Sequence, residues 1–470
     1  MKKLSVLVLL PLSAVAVSPA FKPEAVTQVA KPVAPEQAVV RSRAAGQLAF
    51  SLDELAHNLP LCERVLNLAI AQRRYNVVER VLPVYRMFGS HDPILVLFAQ
   101  GAMAKSRGEF DEAVSKFEDI LERNAQLNPV RIELATALFE SQQNNAARAA
   151  FEQARTFNPP AEIHALINHY LRALDNRERW QISANANYLR THNVNNTSSE
   201  RRIENSGFIK NDDMLPQSAH GLAYSFNLAK DWNLRGHNYL AFENNLFGKY
   251  YWDNKDYNDV LNRTLVGLAH KSAVQSVRLL PFAEWRWVAG SRYQRSVGVR
   301  AEWNRWLSDR WQLSLAGEYA KAHYPDNPEL NGFNQLGSAT LLWLAGAKTY
   351  LYTGVDFNRE KTATRRLSND TKTLRVGIGQ EWPWNIATRL GVSVAKRDYK
   401  APAKLGGILP LGKVRSDTFY NANLTVWKRD WQWQGFTPKV QLSWKKQRSN
   451  LPTLYSYTEK NINLVITRDF

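Results

Sequence analysis

The sequence holds a single cysteine, Cys62, in 470 residues. It therefore cannot form an intrachain disulfide, and no CxxC pair or Cys/His cluster indicates a metal site. Catalytic signatures are missing as well, since the sequence contains no GxSxG, HExxH, P-loop or Gly-rich dinucleotide motif. We therefore predict a protein without catalytic residues, metal or cofactor, and not an enzyme.

The sequence also has few long apolar runs and relatively few acidic residues, and both features limit the possible class of protein. After the N-terminus no stretch reaches the run of about 18 apolar residues that a membrane helix needs, and the mean hydropathy is −0.41. Acidic residues are outnumbered, with 43 Asp and Glu against 61 Lys and Arg, a formal charge of +18. Such a charge usually indicates nucleic acid, but a secreted chain does not meet it. Anionic membrane lipid and acidic cargo are the better partners.

The N-terminus predicts secretion. In residues 1–20 two lysines follow Met1, an apolar run extends over 4–17, and small residues allow cleavage after Ala16 or Ala20. This is the pattern of a signal peptide. Residues 21–50 are rich in Ala, Val and Pro without periodicity, which is typical of a flexible linker.

Residues 51–179 show helical spacing and an internal repeat. Ser51 and Glu54 have the spacing of an N-terminal capping box. Small and aromatic residues recur 34 positions apart and a proline closes the second copy, which is tetratricopeptide-repeat (TPR) spacing. We predict that these residues pack the repeats: Gly101, Ala113, Phe117, Ala135, Ala147, Phe151, Ala154 and Pro159. Residues 161–174 would form a capping helix, and a generic helical bundle stays open as an alternative.

A stack of such repeats would present a concave groove built from its first helices. Grooves of this kind commonly take an extended or helical peptide. Here the predicted cargo-binding groove carries Phe98, Ala102, Lys105, Ile132, Thr136 and Phe139. The same six residues are equally compatible with ordinary packing between helices.

From Trp180 to Phe470 apolar and polar residues alternate in segments of about ten, which is the period of β-strands. In the last segment Ile462, Leu464, Ile466 and Phe470 fall on one face. The apolar, aromatic-rich face recurs through about fourteen segments, which predicts a transmembrane β-barrel. The terminal aromatic residue resembles the signal read by the barrel-assembly machinery, so we expect that machinery as a partner.

The predicted connections alternate in length. Links after even-numbered strands are short, as at Lys230-Asp231, whereas most others are long and polar, as over 191–218 and 397–415. Outer-membrane barrels have short periplasmic turns and long external loops, so the helical domain would lie in the periplasm. The predicted fold is α + transmembrane β: an α-helical TPR-like domain followed by an antiparallel outer-membrane barrel of about 14 strands over 180–470.

This architecture favours export. A passive porin needs no repeat domain, so we interpret that domain as a receiver for cargo beneath the pore. Two alternatives stay open: a polysaccharide-export porin with a TPR scaffold, and a barrel enzyme acting on outer-membrane lipid. Such an enzyme needs a rim histidine, but the candidates each stand alone in the sequence, which favours solvated or interface histidines. These are His220, His237, His270 and His323.

The whole arrangement resembles the surface lipoprotein assembly modulators, the Slam family of Gram-negative bacteria. The residues from Trp180 to Ala184, followed by Tyr188, look like the family's barrel entry, and those from Leu464 to Phe470 look like its last strand. The resemblance implies transport of surface lipoproteins, or of secreted haem-binding and metal-acquisition proteins, from the periplasm to the cell surface. We expect a monomer in the bacterial outer membrane, with lipoprotein or hemophore-type cargo as its partner.

Overall fold

The computed structural model describes residues 51–204, 207–405 and 409–469. The predicted signal peptide and linker, as well as Phe470, lie outside these residues. In the described chain eight helices precede the strands, and a ninth lies between the last two strands. The helices are α1 (Leu52–Ala56), α2 (Leu59–Ala71), α3 (Tyr75–Met87), α4 (Pro93–Arg107), α5 (Phe110–Arg123), α6 (Asn128–Glu140), α7 (Asn144–Thr156), α8 (Ala161–Arg177) and α9 (Pro452–Tyr455).

Helix boundaries follow from local side chains. Ser51 and Glu54 form the predicted capping box, in which each side chain accepts a hydrogen bond from the backbone N–H of the other residue. Helix α4 begins where the Asp92 carboxylate accepts from the Ile94 N–H at 2.8 Å. It ends at Gly108, whose φ of +78° is readily adopted only by a residue without a Cβ.

Two helical hairpins, α4–α5 and α6–α7, stack as consecutive repeats. The small and aromatic residues of the repeat pattern are buried in this stack: Gly101, Ala113, Phe117, Ala135, Ala147, Phe151 and Ala154. Pro159 lies half-buried in the link after α7. Helix α8 covers the last face, because the Tyr170 ring packs against Phe139 and Phe151 with centroid distances of 5.0 and 4.9 Å. The predicted capping helix is therefore present and extends to Arg177.

A methyl group at Gly101 would press on the Phe117 ring. A Cβ atom built there lies 2.7 Å from Phe117 Cε1, and that ring is fully buried. We expect Gly101→Ala to lower the unfolding free energy of the helical region by about 1–3 kcal/mol, as overpacking usually does. The shift is measured by urea unfolding followed by helical circular dichroism. Gly89→Ala is the matched control, since its Cβ would meet nothing within 4 Å, and equal shifts would contradict the close contact.

The C-terminal region forms one closed antiparallel barrel of fourteen strands, which confirms the predicted number. Each strand pairs with its sequence neighbours, and the first pairs with the last. The strands are β1 (Gln181–Thr191), β2 (Ala219–Arg235), β3 (Asn238–Tyr251), β4 (Asp259–Lys271), β5 (Gln275–Val288), β6 (Ser291–Trp306), β7 (Trp311–His323), β8 (Gly332–Gly346), β9 (Thr349–Thr362), β10 (Asn369–Glu381), β11 (Ile386–Leu405), β12 (Leu409–Lys428), β13 (Phe436–Ser449) and β14 (Tyr457–Asp469).

The two faces of the barrel follow from the period of two along each strand. On β14 the side chains of Ile462, Leu464 and Ile466 are 78%, 57% and 45% exposed and point outward, whereas Asn461 and Asn463 alternate with them on the interior face. A closed sheet with an apolar exterior suits a bilayer, because hydrocarbon offers no partner to backbone polar groups. Among the described helices, none is long and apolar enough to cross a membrane.

Two predicted connections are wrong, because their residues belong to strands. Strand β2 continues through Lys230 and Asp231, whose polar character resembled a turn. Asp231 instead faces the barrel interior, where its carboxylate lies 2.5 Å from the Lys271 ammonium. The turn follows at Gly236, which supplies a φ of +55°. Most of the predicted loop over 397–415 likewise forms the long hairpin of β11 and β12.

Because the number of antiparallel strands is even, the first strand begins and the last strand ends at the same end of the barrel. Ser183 near the start of β1 lies opposite Asp469 at the end of β14. The helical region joins the barrel at this end through residues 178–180, and the turn between β2 and β3 lies there too. The long connection between β1 and β2 lies at the opposite end.

Candidate functional site

The helical region is docked against the barrel end that carries the turn between β2 and β3. At the start of α7, the Asn145 N–H donates to Asn233 Oδ1 at 2.9 Å and the Asn145 amide donates to the Asn233 carbonyl at 2.8 Å. The Tyr239 hydroxyl donates to the Gln142 carbonyl at 2.5 Å. Tyr239 faces the barrel interior and is 2% exposed, so the helical region reaches the rim of the lumen. We call these four residues the docking contact.

Polar and charged side chains surround the docking contact. His237 Nε2 lies 3.1 Å from the Asp111 carboxylate of α5. At the end of α8, the Arg177 guanidinium lies 3.5 Å from the Phe139 ring centroid and donates to the Phe139 carbonyl at 2.7 Å. Burial lowers the pKa of Arg177 to about 10, so the group stays charged at neutral pH. Hydrogen bonds and charge therefore contribute to this attachment, as in many contacts between domains.

Interlocked ion pairs line one side of the lumen, from β4 to β7. Arg263 lies 2.6 Å from the Glu284 carboxylate and 3.0 Å from that of Glu318. Arg300 binds Glu318 at 3.2 Å and Glu302 at 2.6 Å. The strand register puts all five residues on the interior face. We call them the charged wall.

The charged wall adjoins apolar interior side chains. Leu280 and Phe282 are 0% and 6% exposed although they face the lumen. The Arg263 guanidinium lies 4.4 Å from the Phe282 ring centroid, so it contacts apolar as well as acidic neighbours. Buried charges are tolerated only when they are paired. This side of the barrel is therefore densely packed.

Removing the Glu318 carboxylate should destabilise the barrel. Arg263 and Arg300 would each lose a partner at a site where the Glu318 side chain is 5% exposed. Breaking such a buried pair typically costs about 3–5 kcal/mol, which we expect for Glu318→Ala in urea unfolding followed by tryptophan fluorescence. Glu381→Ala is the control, because its pair with Arg429 is 37% and 40% exposed and should contribute about 0–1 kcal/mol. Equal losses would contradict the special role of the charged wall.

The connection between β1 and β2 folds towards the barrel interior. The Asn196 side-chain oxygen accepts from the Tyr457 hydroxyl at 2.6 Å and from the Lys445 ammonium at 3.1 Å. Both donors lie at interior-facing positions of β14 and β13. The Thr197 hydroxyl donates to the Leu454 carbonyl at 3.2 Å. We call residues 192–204 and 207–218 the inner loop.

The inner loop is packed like a core segment. Asn195 and Thr197 are 3% and 2% exposed. Lys210 is 1% exposed, and its ammonium donates to the Ser198 carbonyl at 2.9 Å. Burial lowers the pKa of Lys210. The inner loop thus forms an ordered cover over part of the lumen at the end away from the helical region.

The predicted groove residues lie along α4 and α6, and the structure brings two of them into contact. The Lys105 ammonium contacts the Thr136 hydroxyl and lies 2.6 Å from the Glu133 carboxylate. Phe98, Lys105 and Ile132 are partly exposed, whereas Ala102, Thr136 and Phe139 are buried. The first three could meet a ligand directly, while the other three support the helices beneath. That this groove takes cargo stays a prediction.

The four candidate histidines are spread over both ends of the barrel. His220, at the start of β2, pairs with Asp253 of the connection after β3 at 2.6 Å, whereas the rings of His237 and His270 lie 5.3 Å apart near the docking contact. His323 ends β7. Over 51–204, 207–405 and 409–469, no three His, Cys, Asp or Glu side chains come together as a metal site.

Sequence reasoning did not find the docking contact, the charged wall or the inner loop's anchor. The sequence did contain a signal for the charged wall, because Arg300 and Glu302 are charged residues two positions apart, which places both on the same interior face of β6. The docking contact left no comparable signal, since Asn145 and Asn233 are 88 positions apart.

Comparisons with known proteins agree with this architecture. The model of the family described as "Surface lipoprotein assembly modifier" matches residues 180–470, and that of its N-terminal TPR repeats matches residues 48–151. The surface lipoprotein assembly modifier of Pasteurella multocida is 32% identical over 94% of this chain and 89% of its own length.

Two further relatives extend the comparison. Surface lipoprotein assembly modifier 1 of Haemophilus influenzae is 34% identical over 94% of this chain and 92% of its own length. The hemophilin secretion modulator of Acinetobacter baumannii is 25% identical over 87% and 84%. The closed barrel with its apolar exterior is an outer-membrane structure. By its repeats, its barrel and these matches, the chain belongs to the surface lipoprotein assembly modifier family.

Proposed function

We propose that this protein moves surface lipoproteins, or secreted haem-binding proteins, from the periplasm across the outer membrane. The helical domain over 51–179 receives the cargo and the barrel over 180–470 conducts it. The names of the relatives support both cargo classes, because most are surface lipoprotein assembly modifiers and one is a hemophilin secretion modulator.

The docking contact is the observation that carries the proposal. It joins a TPR-like stack, a fold that commonly binds peptides, to an interior-facing residue at the lumen rim, Tyr239. Cargo held by the helical domain would therefore be released next to the entrance of the barrel. Within the groove, the partly exposed Phe98, Lys105 and Ile132 would contact the cargo.

The proposal also includes how the protein reaches and enters the outer membrane. Residues 1–20 act as a signal peptide and residues 21–50 as a linker, so that the helical domain reaches the periplasm. The barrel-assembly machinery inserts a monomer into the outer membrane and reads the last strand, with Ile462, Leu464 and Ile466 facing outer-membrane lipid. No catalytic step is required.

Surface display of cargo tests the proposed function. A surface lipoprotein and a hemophilin-type protein are each expressed, with and without this chain, in a Gram-negative host that lacks it. We expect antibodies to label the lipoprotein on intact cells, and the hemophilin-type protein to appear in the medium, only when the chain is present. Equal labelling and secretion without the chain would refute the proposal. A change in surface polysaccharide alone would favour a sugar-export porin.

A further inference from the structure

The sheet of the barrel is weakly closed at one place. Strand β1 pairs with β2 along its whole length, from Gln181 to Thr191. Within the described residues it pairs with β14 at five positions, from Ser183 opposite Asp469 to Asn187 opposite Val465. From these five pairs towards the end that carries the inner loop, no ladder pairs join the described residues of the two strands. We call this unpaired region, residues 188–191 and 457–464, the open seam.

The facing edges of the open seam lack a backbone ladder. In the described part of the chain, one side-chain contact crosses it, from the Thr191 hydroxyl to Glu459 Oε1 at 2.5 Å. Ile462 is 78% exposed, whereas its outward-facing partner Leu442 on the adjoining β13 is 39% exposed. Ile462 is paired with β13 but not with β1.

An edge of this kind is unfavourable in a membrane and attractive to another strand. Backbone N–H and C=O groups find no partner in hydrocarbon, and a free strand edge is a template for an added strand. On β14 the inward positions are polar, at Glu459, Asn461 and Asn463, and the outward positions Ile462 and Leu464 are apolar. The complementary ligand is therefore an extended segment in which polar and apolar residues alternate.

The position of the open seam indicates where that segment comes from. It runs along the wall of the lumen, beside the inner loop, whose Asn196 binds Tyr457 at the start of β14. A polypeptide inside the lumen would meet this edge directly once the inner loop moves. This chain's own residues 21–50 fit poorly, because they lack alternation and contain three prolines, which cannot donate to a ladder.

We propose that the open seam binds an amphipathic β-strand of the transported polypeptide, which pairs with β14 between Tyr457 and Leu464 during passage. The inference rests on the proposed function and names the part of the barrel that the cargo contacts. The barrel wall thus acts as a template as well as a conduit. Separation of Thr191 from Glu459 is the motion that admits the strand.

A cross-link across the open seam tests whether Thr191 and Glu459 must separate during transport. Thr191→Cys and Glu459→Cys are combined with Cys62→Ala and joined by a short bis-methanethiosulfonate cross-linker, which forms one reducible disulfide with each thiol. We expect cross-linking to reduce cargo display to the level of cells without the chain, and reductant to restore it. The matched control joins Asn185→Cys to Ser225→Cys, two interior residues of the complete β1–β2 ladder whose side chains touch at 2.6 Å. This control should display cargo normally.

Photo-cross-linking tests the contact itself and does not depend on the disulfide chemistry. A benzophenone side chain at Ile462 should capture the cargo, whereas one at Val355, an outward residue that is 54% exposed on fully paired β9, should not. Capture of residues 1–50, of a second copy or of no protein would overturn the inference. Normal display with a cross-linked seam would overturn it too. If the proposed function itself were wrong, the result would differ: cargo display would be equal with and without the chain.

Discussion

Deleting the helical domain, residues 52–177, should reduce cargo display by about 100-fold or more while the barrel remains inserted. A receptor fixed next to a pore raises the effective concentration of its ligand there, which commonly contributes 10²–10⁴-fold to binding. The tether is short here, because three residues separate α8 from β1. Cargo released from the groove therefore starts its passage within reach of the lumen.

The measurements must separate loss of transport from loss of the barrel. Display is measured by antibody labelling of intact cells, and barrel folding by the change in gel mobility on heating. We expect the deletion to leave the mobility change intact. Display at the level of the full chain would refute the receiver role of the helical domain.

A smaller change tests whether the helical domain must be docked at the rim of the barrel, in addition to being present in the chain. Asn145→Ala with Tyr239→Phe keeps every repeat but removes two side-chain hydrogen bonds of the docking contact, from the Asn145 amide to the Asn233 carbonyl and from the Tyr239 hydroxyl to the Gln142 carbonyl. The backbone bond from Asn145 to Asn233 can persist, so about 2 kcal/mol should be lost from the two side-chain bonds. We expect reduced display together with faster proteolysis of the helical domain. Gln153→Ala, on the exposed face of the same helix, should change neither.

Removing most of the inner loop should widen the opening of the barrel lumen. Replacing residues 193–217 by a short Gly-Ser linker leaves the Thr191–Ala219 pair to join β1 and β2. The contacts of Asn196 with Tyr457 and Lys445 are then lost. We expect a several-fold rise in single-channel conductance in planar bilayers, and greater sensitivity of cells to large antibiotics.

A second loop provides the control for pore opening. Residues 363–367, between β9 and β10, contact the neighbouring outer loop through the pair of Arg366 with Glu329 at 2.5 Å. The same linker in their place should leave the conductance nearly unchanged. If both replacements raise the conductance equally, or if neither does, the inner loop is not the cover of the lumen.

The fold was largely predictable because its signals are local. The 34-residue recurrence of small and aromatic residues depends on helix–helix packing within each repeat, and the structure buries Phe117 and Phe151 as that pattern implies. The alternation along each strand depends only on the geometry of the extended chain. Errors arose where a polar residue had a partner far away, as with Asp231, which pairs with Lys271 across the strands.

The sequence by itself determined the class of structure: a helical repeat stack, a barrel of fourteen strands, and an outside surface suited to lipid. Tertiary structure alone decided what covers part of the lumen, how the helices attach to its rim and where the strand pairing is shortest. The reason is sequence separation, since Asn145 meets Asn233 across 88 positions and Asn196 meets Tyr457 across 261. Periodicity arises from the backbone within a few residues, whereas such contacts exist only after the barrel has closed.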